Sequence, residues 1–121
     1  LFLMPSRFEP CGLNQMYSQR YGAVPVVRQV GGLADTVEDV DAIRLGYRQA
    51  TGIVFGPASA EALYEAILRG HALYQNKPLW QQIQQAGMHK NFSWERSARC
   101  YEDLYDAAIA DSLSAESLLK T

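Results

Sequence analysis

At 121 residues the chain has room for one domain with a buried core, and none for two. Hydrophobic residues make up 48% and charged residues 20%, with a net charge of −2 and a pI near 5.6. This balance gives no electrostatic ground for nucleic acid or an anionic membrane as partner, and no apolar run approaches the roughly 18 to 20 residues of a membrane-crossing helix.

Leu1, Phe2, Leu3 and Met4 form a continuous apolar run, expected to be a strand buried on both faces. It starts in mid-strand, without an initiator Met or the basic start of a signal peptide, so the chain reads as a piece of something longer. Pro5 and Ser6 end the strand, and Arg7 to Gly12 form a loop. Leu13, Met16, Tyr17 and Tyr21 then recur at helical spacing, with Gly22 as the stop. Ala23 to Val27 is a second strand, imperfectly hydrogen-bonded at Pro25. Strand, helix, strand is the order of a right-handed parallel crossover.

"VGGLADTVEDVD" reads as a glycine-rich turn followed by a solvated acidic stretch with Glu38, Asp39 and Asp41. "TGIVFG", Thr51 to Gly56, is a third strand. Three helices follow. Ser59 caps Ala60 to Tyr74, whose buried face carries Leu63, Ile67 and Tyr74. Pro78 sits in the first turn of a helix containing Leu79, Ile83 and Ala86 and ended by Gly87. Ser93 caps the last helix, with Glu95 in its first turn and an apolar face of Trp94, Ala98, Tyr101, Leu104 and Tyr105. Residues 111–121 extend this helix or fray. The fold class is therefore α/β, the C-terminal part of a Rossmann-like, doubly wound parallel-sheet domain with a helix-rich end. Three parallel strands make an uncomfortable free-standing sheet, which again points to a piece of a larger fold.

In such folds ligands bind beyond the carboxyl ends of the strands, where the Arg7 to Gly12 loop lies. Backbone amides near Gly12 would suit a phosphate, and Gly12 has no side chain to block it. Glu9 would repel a phosphate but accept hydrogen bonds from sugar hydroxyls. A nucleotide sugar fits both groups. The plainer reading also stands on these residues alone: a carboxylate that caps a helix and a glycine that turns the chain.

"PSRFEPCGLNQMYSQRYGAVPVVRQVGGLADTV" closely resembles the C-terminal signature of bacterial glycogen synthases and plant starch synthases. The likeness continues through "TGIVF" to "GMHKNFSWERSARCYEDLY" and covers about Leu1 to Ile109. These are retaining glycosyltransferases with two facing Rossmann-like domains, the GT-B arrangement. The resemblance implies transfer of glucose from ADP-glucose to the non-reducing end of an α-1,4-glucan, in the cytoplasm, without a metal or other cofactor. It assigns Glu9 as the catalytic donor-site glutamate, contacting glucosyl hydroxyls and supporting developing positive charge. Cys11, Gly12 and Leu13 match positions whose main chain approaches the glucose and distal phosphate, and Asn14 falls where many members carry threonine near the phosphates. Tyr17 stands where the wider superfamily has a second glutamate, so no second carboxylate is implied. Gly31 and Gly32 match a glycine pair that shapes the cleft.

The resemblance divides residues 1–121, all within the donor-binding domain, into a donor-site part (1–56), C-terminal helices (57–111) and a tail (112–121). The implied partners are the ADP-glucose donor, the α-1,4-glucan acceptor and the enzyme's N-terminal domain, which the closing helix meets through Tyr101 to Ile109. On that basis the 121-residue chain alone is expected to be inactive. Two alternatives stay open: a non-catalytic nucleotide-binding α/β module, and a related retaining transferase using UDP-glucose. Among other conspicuous residues, His71 and His89 lack partners at ligand spacing. Cys100, like Cys11, lacks metal-type spacing and reads as a reduced thiol. Trp94 and Tyr101 read as core anchors, Arg96 and Arg99 as an exposed face, and Arg28 as a weak candidate for donor contact.

Overall fold

The structure, a computed structural model, describes residues 1–41 and 49–118. Two compact units are present, Leu1–Lys90 and Asn91–Thr121. The first contains β1 (Phe2–Met4), α1 (Asn14–Arg20), β2 (Pro25–Arg28), α2 (Gly31–Thr36), β3 (Ile53–Phe55), α3 (Ala60–Gln75) and α4 (Lys77–His89). The second holds one long helix, α5 (Trp94–Leu118). Among the described residues no helix is long and apolar enough to cross a membrane.

The three expected strands form one parallel sheet in the order β1-β2-β3, with Leu3 opposite Val26 and Val27 opposite Val54. Alternation along β2 sends successive side chains to opposite faces. Val26 joins Ile53, Phe55, Ala66, Trp80 and Ile83 in one core, while Val27 joins Met4, Leu33 and Val37 in the other. Pro25 takes the first position of the central strand, where its missing N–H interrupts least of the ladder. β1 is less covered than expected. It is one edge of this sheet, with Leu1, Phe2 and Leu3 exposed and Met4 buried.

Helix α1 turns a different face inward from the one its apolar spacing suggests. Gln15, Ser18 and Gln19 are buried, whereas Leu13, Tyr17 and Tyr21 are 53%, 57% and 86% exposed. The reason is hydrogen bonding. The carbonyls of Cys11, Gly12 and Thr36 face this side of the helix and need donors, which the two glutamine amides supply. The expected stop at Gly22 holds: Gly22 N–H bonds to the Gln19 carbonyl, and Ala23 N–H to that of Ser18. With φ of +73° at Gly22, this is a Schellman closure.

The glycine-rich turn is instead a short helix, α2, and in the acidic stretch after it Glu38 and Asp41 are exposed as expected while Asp39 is tied to the sheet. Asp39 bridges to Gly52, its Oδ1 accepts from Val54 N–H at 2.8 Å, and Arg69 pairs with both Asp39 and Asp41. Ser59 caps α3 as expected, its hydroxyl accepting from Ala62 N–H at 3.2 Å. Glu61, in the same turn, is held below its ordinary carboxylate pKa by a bond from its own backbone N–H and then by Ser59. That contribution is present above the unfolded-state value and lost as pH falls through the lowered one.

The buried centre of α3 is Ala66 and Gly70. Leu63 and Ile67 are half-buried, and Tyr74 is exposed, packing edge-on against Trp80 at 5.4 Å under the Lys77 ammonium. Gly87 does not end α4. It lies buried within it, against Gln19 of α1, and the helix continues to His89. The last helix runs through Leu118, and residues 119–121 lie outside the described residues. Trp94 and Tyr101 are exposed rather than core anchors, because α5 is the sole element of its unit among the described residues and nothing within that unit covers its apolar face.

Candidate functional site

The candidate residues follow one another in the loop that leaves the carboxyl end of β1. This segment runs over the start of α2, and the glycine pair permits the approach. A Cβ on Gly31 would stand 1.9 Å from the Glu9 carbonyl oxygen, and one on Gly32 2.3 Å from that of Cys11. Gly31 also has φ of +45°, in the left-handed region that costs other residues strain.

Three successive carbonyls of the loop turn the same way. Pro10 C=O accepts from Gly32 N–H at 3.1 Å. Cys11 C=O and Gly12 C=O accept from Gln15 Nε2 at 3.1 and 2.9 Å. A trans peptide is planar, so its N–H points opposite to its C=O. The amides of Cys11, Gly12 and Leu13 therefore point away from α2 and Gln15, and among the described residues they reach no protein acceptor. The helix start beside them is uncapped: Leu13 occupies the N-cap position without a side-chain bond.

Glu9 is half-buried, and its one side-chain contact is the Ser6 hydroxyl, donating to Oε2 at 3.4 Å. No ion pair neutralises it among the described residues. Asn14 is exposed at the first position of α1, with no side-chain bond of its own. Cys11 is an exposed free thiol whose Sγ leans towards the Gly12 carbonyl at 3.6 Å. The loop thus holds an open carboxylate beside three open amides. The first suits hydroxyl donors and a cationic centre, the second an anion.

Arg28, weighed from sequence as a donor contact, is a brace. It ends the central strand and spreads its guanidinium over main-chain carbonyls: Nε to Ser6 at 2.8 Å, Nη2 to Arg7 at 2.6 Å and Nη1 to Gly56 at 3.3 Å. One side chain ties the segments after β1 and β3 to the end of β2. Arg28→Ala is expected to cost about 1 to 3 kcal/mol by leaving these carbonyls without a charged donor. Arg28→Lys should recover little of it, lacking the planar fork. Urea unfolding midpoints of the variants check this.

Gln15 and Thr36 also belong to the site's support, and the sequence signalled them weakly. Glutamines at positions 15 and 19 have helical spacing, but nothing in the sequence marks them as buried. His71 and His89 are exposed and bond within their own helices, to Gln75 and to the Gln85 carbonyl, so neither joins the site.

No family model matches the chain. It is 59% identical over 110 residues to glycogen synthase 1 of Methylococcus capsulatus and 60% identical over 110 residues to the glycogen synthase of Thioalkalivibrio sulfidiphilus, each time over 91% of its own length. The solved catalytic domain of starch synthase IV from Arabidopsis thaliana, bound to ADP and acarbose, matches with a TM-score of 0.76 and 36% identity over 91% of the chain. Over 91% of its length the chain matches one segment of glycogen and starch synthases. The chain spans only 22% and 23% of the two bacterial relatives and 22% of the plant structure. Sucrose-phosphate synthase of Thermosynechococcus elongatus matches more distantly, with a TM-score of 0.58 and 28% identity over 90% of the chain. The parallel sheet with its helices thus shares the Rossmann-like fold of the corresponding part of the starch synthase, a GT-B neighbour.

Proposed function

We propose that the full-length protein is a glycogen synthase, transferring glucose from ADP-glucose to the 4-hydroxyl at a non-reducing α-1,4-glucan end with retained configuration. The supporting observation is the loop in which Glu9, contacted by the Ser6 hydroxyl and by no cation among the described residues, lies beside three outward amides. In this reading the amides of Cys11, Gly12 and Leu13 meet the glucose and the distal phosphate, with Asn14 adding a side-chain donor. Glu9 accepts from glucosyl hydroxyls and faces the positive charge that develops as the bond to the diphosphate lengthens. Fixed dipoles that need no reorganisation at that moment lower the barrier for the departing anion.

Residues 1–56 form the donor-site part of the domain, 57–111 the following helices and 112–121 the tail. The remaining partners are the glucan and the enzyme's N-terminal domain, with the exposed α5 face of Tyr101, Leu104, Tyr105 and Ile109 as the surface that meets it. The ADP in the starch synthase structure favours an adenine nucleotide. The cytoplasm is the expected location, where ADP-glucose would be at hand.

The test is a transfer assay on the full-length protein with an α-1,4-glucan primer, offering ADP-glucose and UDP-glucose separately. Incorporation from ADP-glucose into an α-linked product is expected. No incorporation from ADP-glucose would overturn the reading, and incorporation from UDP-glucose alone would replace it with the uridine-nucleotide alternative.

A further inference from the structure

Gln15 is among the most enclosed side chains of the molecule, at 0% exposure, yet it is polar and touches the loop rather than the apolar core. Its Nε2 lies 3.1 Å from the Cys11 carbonyl, 2.9 Å from the Gly12 carbonyl and 3.0 Å from Thr36 Oγ1. The Thr36 hydroxyl spends its own hydrogen on the Gly32 carbonyl, so towards Gln15 it offers only lone pairs. The carboxamide is thus anchored from behind by α2 and reaches forward to two consecutive loop peptides. Its Oε1 is buried with no partner. A side chain present only to fill space would not leave a polar atom stranded, since an apolar residue of the same length avoids that cost.

We propose that Gln15 is a positioning residue that sets the direction of the Gly12 and Leu13 amides and thereby the affinity of the loop for a diphosphate. The inference rests on the donor-site reading of this loop. By holding the carbonyls of Cys11 and Gly12 inward, it fixes the N–H groups of the same peptides outward. Without it, both carbonyls lack a donor on the buried side and the peptides are free to rotate towards water. The amides then lose the preorganisation that lets them receive an anion without paying to be ordered.

Gln19 supplies an internal comparison. It lies one turn further along the same helix, is 1% exposed and also leaves its Oε1 unpartnered. Its Nε2 donates to the Thr36 carbonyl and to neither loop carbonyl. Gln15→Met and Gln19→Met therefore remove comparable buried amides, but only the first releases the loop.

The experiment is calorimetric titration of ADP into the full-length protein and both variants, with thermal melts alongside. Gln15→Met should bind ADP about tenfold more weakly, the scale of losing one net hydrogen bond. Gln19→Met should lose similar thermal stability and bind ADP as the parent does. Equal ADP affinities for the two variants would overturn the proposal. Should Gln15→Met fail to fold, Thr36→Val removes the anchor behind the same carboxamide. A weakened ADP affinity in it supports the proposal, and an unchanged one overturns it. Glu9→Gln separates this inference from the donor-site reading: full transfer activity there sinks the reading itself, whereas an inactive Glu9→Gln beside an unaltered Gln15→Met sinks only the role of Gln15.

Discussion

Glu9→Gln in the full-length protein is expected to lower glucosyl transfer by roughly 10²–10³-fold, the scale of deleting one preorganised electrostatic partner of the transition state. The amide keeps the shape of the carboxylate and one acceptor oxygen, but removes the negative charge that the proposed reading sets against the sugar as it becomes cationic. ADP affinity should change little, because the proposed reading assigns the diphosphate to the amides of later residues. Stability should change by less than about 0.5 kcal/mol, since the side chain is half-buried with a single 3.4 Å contact from Ser6. Steady-state rates, ADP titration and a urea melt read the three quantities separately. A loss of transfer accompanied by an equal loss of folding would assign Glu9 to structure rather than chemistry.

A larger effect on the fold is expected from the glycine pair. Gly32→Ala puts a methyl 2.3 Å from the Cys11 carbonyl oxygen and 2.6 Å from its Cα, both backbone atoms that no rotamer change can move aside. Gly31→Ala meets the Glu9 carbonyl oxygen at 1.9 Å and adds the strain of a positive φ. Each should cost about 2 to 4 kcal/mol through overpacking and backbone displacement. Each should also weaken ADP binding, because the displaced segment is the one that carries the open amides. Gly56→Ala is the control: nothing lies within 4 Å of the added methyl. Thermal melts with and without ADP distinguish the three, and a Gly32→Ala protein as stable as Gly56→Ala would contradict the close packing.

The strands were legible because a parallel strand covered on both faces leaves a short run of β-branched residues, as at Val24, Val26 and Val27. Ser59 and Pro78 marked helix starts because their chemistry is local. The order of the loop residues from Glu9 to Asn14 was legible for the same reason. Other features depended on distant partners. α1 buries Gln15 and Gln19 because carbonyls from α2 and the loop meet them there, and no periodicity within α1 encodes that. Asp39 read as solvent-facing because its partners, Val54 N–H and Arg69, lie 15 and 30 residues away. Gly31 and Gly32 were recognisable as a pair, but the reason for two glycines is the loop lying on them. Arg28 bonds only to carbonyls, which carry no side-chain signature at all.

The most direct measurement is a crystal structure of the full-length protein with ADP-glucose or a non-hydrolysable analogue bound. The expected result is a distal phosphate within about 3 Å of the Gly12 and Leu13 amide nitrogens, with a Glu9 carboxylate oxygen at similar distance from a glucosyl hydroxyl. A donor seated elsewhere, with these amides facing water and the Glu9 side chain turned into packed protein, would contradict it.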